Sequence, residues 1–415
     1  MKLSTRLRYR TVQRSLHIAS HFLPWRTPRV VEGAGSRRRI PEIIADLGIH
    51  KVLVVTDNTI LKIGLLDSLL EVCHKNDIAY EIFSHTVPNP TIANVESAFD
   101  CFEQCGCDGV LACGGGSPLD CAKALTARIS NPDKSLSEMA GILKVKRRTV
   151  PLIAVPTTAG TGSEATLAAV LHDPTIQKKF AINDVCLIPD CAVLDPDLLT
   201  GLPPHITAAT GMDTLCHAVE AYIGKSTTRT TRRLSREAVQ LVFQNLLTSY
   251  YNGSHLEARQ NMHTASFKAG QAFTRAYVGN IHAISHTLGA FYGIPHGLAN
   301  AILLPIVLDY YGESVHTQLA DLADVIEVGS TVCTKEKKAA AFIHAIRQLN
   351  SQMRIPESLN TIRQEDIPKM VHHALEEANP LYPVPRIFDS KDMTTIYVQM
   401  KTGTKGKAYA HEIRN

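Results

Sequence analysis

The sequence predicts an α/β unit built on a parallel sheet, followed by an all-helical unit. Two observations carry this expectation. Short apolar runs alternate with amphipathic stretches from about residue 40 to 200, and strand signals nearly vanish after Leu202-Pro203-Pro204. The first unit is expected over residues 24–203 and the second over 204–415, with residues 1–23 as a basic amphipathic extension.

The extension, MKLSTRLRYRTVQRSLHIASHFLPW with the residues just after it, is rich in Arg and free of acid. Lys2, Arg6, Arg8, Arg10, Arg14, Arg26 and Arg29 all precede the first carboxylate, Glu32. Two readings stay open. As a helix it sets Leu7, Val12, Leu16 and Phe22 near one side, where it would cap a domain or touch a partner. Its composition is also that of a transit peptide. It has no secretory apolar segment.

The strand KVLVVT (51–56) is short, apolar and β-branched, and a helical stretch runs from Ile60 to Cys73. Tyr80–Ser84 reads as strand, Asn94–Cys105 as helix, and Gly109–Cys113 as a buried strand. Ser117 to Ala127 reads as helix and Leu152–Val155 as strand. This βαβα order implies helices on both faces of a parallel sheet. Beyond Pro204 the amphipathic stretches Ala208–Ile223, Leu234–Tyr250, Gln260–Arg275 and Lys337–Gln348 dominate.

Composition excludes some classes. The 415 residues, 45% hydrophobic and 20% charged, describe an ordinary globular chain. The net charge of +4 is concentrated in the extension and leaves no nucleic-acid footprint. No apolar run is long enough to span a membrane. The ten cysteines are scattered. Cys101, Cys105 and Cys107 cluster, but no second pair lies at zinc-finger distance, so buried free thiols in a reducing compartment are expected.

Three loops carry the candidate chemistry of the first unit. In GVLACGGGSPLDCAK (109–123) a buried strand runs into Gly114, Gly115 and Gly116, and Ser117-Pro118 opens a helix. Glycines let the backbone approach a pyrophosphate, and free N–H groups at a helix start bind it. The spacing is neither the G-x-G-x-x-G fingerprint nor a P-loop. PTTAGTGSEAT (156–166) brings hydroxyls on Thr157, Thr158 and Thr161; it is either a surface turn or a second ligand loop at the same sheet edge. Asp57, directly after the first strand, is either the N-cap of the next helix or a partner of ribose hydroxyls, which would favour NAD over NADP.

The second unit holds GMDTLCHAVEAY (211–222) and HAISHTLGAFYGIPHG (282–297). Asp213 and His217, four residues apart, share a helix face. With His282 and His296 they make a carboxylate–imidazole set suited to Fe2+ or Zn2+ rather than Ca2+ or Mg2+. With 18 His in the chain, about one His-x-x-x-His pair is expected by chance. His17 and His21 supply one with no chemistry around it. The second block differs because Gly289, Gly293, Pro295 and Gly297 let the chain turn back and return His296 toward the helix.

These blocks, with TDNT (56–59), PNPT (88–91) and LIPDCAVLDP (187–196), resemble the iron-dependent (group III) alcohol dehydrogenases, in the family's order and from about residue 24 onward. The resemblance implies a Rossmann-like dinucleotide-binding domain joined to a helical metal-binding domain. It implies metal ligands at Asp213, His217, His282 and His296 and a catalytic histidine near the nicotinamide at His286. Cofactor contacts fall on Asp57, Asn89, Gly114, Gly115, Gly116, Ser117, Thr157, Thr158, Thr161 and Lys179. The implied activity is hydride transfer between NAD(H), favoured over NADP(H), and a small alcohol or aldehyde, with Fe2+, or alternatively Zn2+, as Lewis acid. A cytoplasmic homodimer is implied, or a mitochondrial matrix enzyme if the extension is a transit peptide. Same-fold alternatives are glycerol dehydrogenase-like or dehydroquinate synthase-like zinc enzymes and a hydroxyacid–oxoacid transhydrogenase; a non-catalytic scaffold is a further one. The extension and the richness in Cys, including Cys113, depart from the family.

Overall fold

A computed structural model describes residues 1–174, 178–329 and 334–403. The chain divides into two compact units. One comprises Leu23–Pro203 with Asn252–Thr274; the other comprises Met1–Phe22, Pro204–Tyr251 and the chain from Arg275 onward. Along the chain the change falls at Pro203/Pro204. Two segments cross the simple sequence division: the N-terminal extension belongs to the helical unit, and most of one later helix belongs to the sheet unit.

The strands are β1 (Arg29–Glu32), β2 (Lys51–Val55), β3 (Ala79–Phe83), β4 (Gly109–Gly114), β5 (Gly141–Ile142), β6 (Leu152–Pro156), β7 (Ala168–Asp173), β8 (Lys178–Asn183) and β9 (Cys191–Leu194). Six of them form a parallel sheet in the order β1-β9-β6-β4-β2-β3. Alternate residues feed two cores. Leu53, Val55, Val110, Ala112, Leu152 and Ala154 face one side. Val52, Val54, Leu111, Cys113, Ile153 and Val155 face the other. Burial of both faces explains why these strands read as continuous apolar runs. The order reverses at β2, which has β3 on one side and β4 on the other, so the loops after β2 and β4 flank a topological switch point.

The first helices are α1 (Leu3–Ser20), α2 (Ile40–Asp46), α3 (Asn58–Lys62), α4 (Asp67–Lys75), α5 (Ile92–Cys105) and α6 (Gly116–Ser130). The single helix expected over 60–73 is two, because Gly64 at φ +69° breaks the turn between α3 and α4. Sequence reading also missed the second sheet, β5-β8-β7, in which β8 pairs parallel with β5 and antiparallel with β7.

The later helices are α7 (Pro204–Ile223), α8 (Arg229–Tyr251), α9 (Leu256–Ala276), α10 (Asn280–Tyr292), α11 (His296–Tyr311), α12 (His316–Val325), α13 (Lys335–Gln352), α14 (Ile367–Ala378) and α15 (Ser390–Thr402). Residues to Thr274 of α9 lie with the sheet unit because two glycines permit backbone contact. A Cβ at Gly270 would stand 2.5 Å from the Gly162 carbonyl oxygen. No helix among the described residues is long and apolar enough to cross a membrane.

The extension is helical, but its apolar face is only partly covered. Leu7 and Phe22 are 60% and 84% exposed, and the buried residue of α1 is Gln13. Val12 and Leu16 are half-buried, and Arg10 and Gln13 add hydrogen bonds to the helical unit.

Candidate metal centre and cofactor loops

In the helical unit α7 carries Asp213, His217 and Glu220 at positions i, i+4 and i+7, a single helix face. All three are buried. His282 lies one turn into α10, and His296 opens α11. The first turn of α11 runs against the α7 backbone: a Cβ on Gly297 would stand 2.3 Å from the Ala209 carbonyl oxygen. Glycine is therefore required beside His296, and the close approach brings that imidazole to Asp213.

Donor atoms of Asp213, His217, His282 and His296 lie within 4.8 Å of one another. Asp213 Oδ1 is 4.0 Å from His282 Nε2 and 3.6 Å from His296 Nε2. Ligands of a tetrahedral ion at metal–ligand distances of about 2.1 Å stand about 3.4 Å apart, so small side-chain movements suffice. The opposite nitrogens are already committed. His282 Nδ1 lies 2.6 Å from Glu220 Oε2, and His296 Nδ1 lies 3.1 Å from Ser285 Oγ. A carboxylate on Nδ1 fixes that proton and leaves Nε2 with its lone pair toward Asp213. Burial alone would lower the pKa of His282. The hydrogen bond and charge of Glu220, with the charges of Asp213 and Glu377, outweigh it and hold the pKa above the ordinary value.

Asn300, one turn beyond His296, points its amide nitrogen at the same place. Nδ2 lies 2.7 Å from Asp213 Oδ1, 3.2 Å from His282 Nε2 and 3.1 Å from His296 Nε2. Three lone pairs thus converge on one electropositive group, as they would on a cation. The donor set fits a divalent ion.

Glu220 also accepts the backbone N–H groups of Gly279 at 2.8 Å and Ile281 at 2.9 Å. It caps α10 from a neighbouring helix while it orients His282. Cys216 Sγ is 4.0 Å from the same Nδ1, but burial and the charges of Glu220 and Asp213 push its pKa well above the ordinary value. That disfavours the thiolate, the form in which cysteine binds metals.

His286 does not join the four. It sits one turn further along α10, half-buried, with its ring stacked on His296 at 5.0 Å. Its Nδ1 lies 2.6 Å from Glu377 Oε1, which also accepts the Tyr382 hydroxyl at 2.8 Å. Sequence reading missed Glu220, Asn300, Glu377 and Tyr382. The first two stand at helical spacing from His217 and His296, a signal too common to single them out.

In the sheet unit Gly114 pairs with Pro156 at the ends of β4 and β6, and Thr157 donates its N–H to the Gly114 carbonyl at 2.9 Å. The glycine loop and the threonine loop face each other. A Cβ on Gly116 would stand 2.8 Å from Thr161 Cγ2, and one on Gly115 3.5 Å from Thr158 Cγ2. Asn89, at φ +56°, donates its N–H to Ser117 Oγ at 3.3 Å. Asn89, the three glycines, Ser117, Thr157, Thr158 and Thr161 thus gather at the carboxyl ends of adjacent strands. Asp57 caps α3, its Oδ1 accepting from Thr59 and Ile60 at 2.8 and 3.0 Å. Lys179 lies on β8, opposite His172 of β7, and its charge reaches the buried Asp120 of α6.

A parallel-sheet unit with glycine loops at its switch point, joined in one chain to a helical unit with a metal-ligand cluster, defines a metal- and dinucleotide-dependent oxidoreductase. The Iron-containing alcohol dehydrogenase model matches residues 27–196, and the Fe-containing alcohol dehydrogenase family, C-terminal model matches 207–400. Alcohol dehydrogenase 4 of Schizosaccharomyces pombe is 36% identical over 359 residues, 85% of this chain and 83% of the relative. A solved 1,3-propanediol oxidoreductase superposes with a TM-score of 0.88 at 34% identity, covering 91% of this chain and 100% of its own. The sulfoacetaldehyde reductase of Bifidobacterium kashiwanohense, solved in complex with NAD+, gives 0.81 at 29% identity, covering 92% and 99%. The chain belongs to the iron-containing alcohol dehydrogenase family, and it is an alcohol dehydrogenase-type oxidoreductase.

Proposed function

We propose that this enzyme interconverts a small alcohol and its aldehyde with NAD(H), using Fe2+ held by Asp213, His217, His282 and His296. The observation that carries the reading is the convergence of those four donors, with Glu220 fixing the His282 tautomer. When bound, the ion supplies Lewis acidity toward the alcohol or carbonyl oxygen, and the nicotinamide takes or gives the hydride.

The chain's own residues do the rest. Asp213 brings one negative charge, so a divalent ion leaves net positive charge to favour an anionic oxygen. Ser285 orients His296 as Glu220 orients His282. His286, aligned by Glu377, relays the hydroxyl proton toward solvent. Gly114, Gly115, Gly116 and Ser117 bind the pyrophosphate at the start of α6, with Asn89, Thr157, Thr158, Thr161 and Lys179 around the cofactor. Asp57 favours NAD over NADP through repulsion of a 2′-phosphate. The reading includes a homodimer in the cytoplasm. The free thiols among the described cysteines support a reducing compartment, and sedimentation tests the dimer.

The test is metal content and cofactor-linked turnover of anaerobically purified protein, with a panel of short alcohols and aldehydes. Near-stoichiometric iron with NADH-driven aldehyde reduction is expected. Tightly held NAD without net cofactor turnover, or protein that retains no metal, would overturn the proposal.

A further inference from the structure

The helix α1 lies outside the residues matched by the family models, 27–196 and 207–400. The solved 1,3-propanediol oxidoreductase is covered over its whole length while about a tenth of this chain finds no counterpart in it. Yet this N-terminal segment is bonded into the helical unit: the Met1 ammonium reaches Asp389 at 3.1 Å, and two side chains of α1 reach one loop. Arg10 donates from Nη1 to the Val384 carbonyl at 2.7 Å and from Nη2 to the Pro385 carbonyl at 3.0 Å. Gln13 donates from Nε2 to the Tyr382 carbonyl at 2.7 Å, and its own Oε1 accepts from Arg10 at 2.8 Å. Lys225 N–H takes the remaining carbonyl of this stretch, that of Pro383, at 2.6 Å.

That stretch carries Tyr382, whose buried hydroxyl donates to Glu377, which in turn holds His286 Nδ1. Gln13 therefore bonds the backbone of the residue whose hydroxyl holds the partner of the proposed proton relay, and Arg10 bonds the same loop at residues 384 and 385. Beneath a helix whose only buried side chain is Gln13, Arg10 supplies the Val384 and Pro385 carbonyls, and Gln13 shares the Tyr382 carbonyl with the Val384 N–H, which reaches it at 2.8 Å. Hydrogen bonds from a charged guanidinium are the stronger kind, and their loss frees the loop to sample other backbone states.

We propose that α1 is a strap, with Arg10 and Gln13 as positioning residues that hold the 382–385 loop and thereby the Tyr382–Glu377–His286 chain. The inference rests on the role of His286 proposed above.

The experiment uses the full chain with Arg10→Met and Gln13→Leu combined, beside Tyr382→Phe and the triple variant. The first readout is hydrogen–deuterium exchange of peptides spanning 377–386, which requires neither metal nor turnover. The second is kcat with metal content. Faster exchange confined to these peptides, unchanged metal content, and a kcat loss of about tenfold that the triple variant does not deepen beyond Tyr382→Phe alone would support the strap, since residues acting through one unit are non-additive. Unchanged exchange, or losses that multiply in the triple variant, would overturn it. A wild-type level of turnover in His286→Ala would instead sink the relay reading, and that outcome leaves the exchange result standing on its own. The single Gln13→Glu variant, which keeps an acceptor for Arg10 but loses the donor to Tyr382, should reproduce the exchange increase in part; wild-type exchange in it would remove Gln13 from the strap.

Discussion

Glu220→Gln separates metal-site orientation from packing. The two side chains have nearly the same shape, so the cavity term is negligible. What changes is the donor count. Glu220 accepts three hydrogen bonds, from Gly279 N–H, Ile281 N–H and His282 Nδ1. A carboxamide has one acceptor oxygen, so whichever way it rotates its NH2 faces at least one buried donor. One buried donor left unsatisfied costs about 1–3 kcal/mol. The ring can relieve the clash by moving its proton to Nε2, but that atom then loses the lone pair aimed at Asp213. Metal affinity should fall by about 10–100-fold, the usual effect of losing such a partner, equivalent to roughly 1.4–2.8 kcal/mol. Anaerobic Fe2+ and Zn2+ titration against a chromophoric chelator measures this, and a thermal melt of the metal-free protein measures the capping term. A Glu220→Gln protein that binds both ions as tightly as wild type would refute the argument, whatever its melting temperature.

His282→Ala should abolish metal retention and turnover while far-UV circular dichroism stays native; His286→Ala should keep the metal and lose about 10²–10⁴-fold in kcat, and loss of the metal would mean His286 is a ligand. Asp57→Ala should lower stability by about 0.5–2 kcal/mol, because Asp57 caps α3, and should raise the NADPH-to-NADH ratio of kcat/KM; an unchanged ratio would leave only the cap. Burial raises the Glu164 carboxyl from 4.5 to about 7. The folded state therefore holds this proton more tightly than the unfolded chain, giving stability that is full below pH 4.5 and lost as pH rises through about 7. The difference in melting temperature, Glu164→Gln minus wild type, should grow from pH 5 to pH 8, and a flat difference would contradict the burial argument.

Much of the fold and the site was legible because the signals are local. The triple glycine sits where β4 ends, and a Cβ at residue 116 would crowd Thr161 Cγ2 at 2.8 Å. Asp213 and His217 are four apart on α7, and the Pro295–Gly297 turn returns His296 to them. Glu220 and Asn300 obey the same helical spacing, but a carboxylate or amide three or four residues from a histidine is too common to single out. Glu377 is 91 residues from His286, and no local pattern links them; the pairing exists only once α14 packs beside α10. The small sheet escaped because β5 is only two residues long and the apolar start of β7, AAVL, is brief. The extension gives the sharpest case. Periodicity measures apolar burial, and of the four apolar residues it aligns Val12 and Leu16 are half-buried while Leu7 and Phe22 are exposed; the buried residue is Gln13. A helix anchored by a guanidinium and a carboxamide on backbone carbonyls has no hydrophobic signature, because its partners are main-chain atoms that every residue possesses. Such anchoring is invisible to any reading of side-chain pattern, and it is specific all the same: it needs carbonyls with a lone pair to spare, and the 382–385 stretch, between α14 and α15, offers them at Tyr382, Val384 and Pro385.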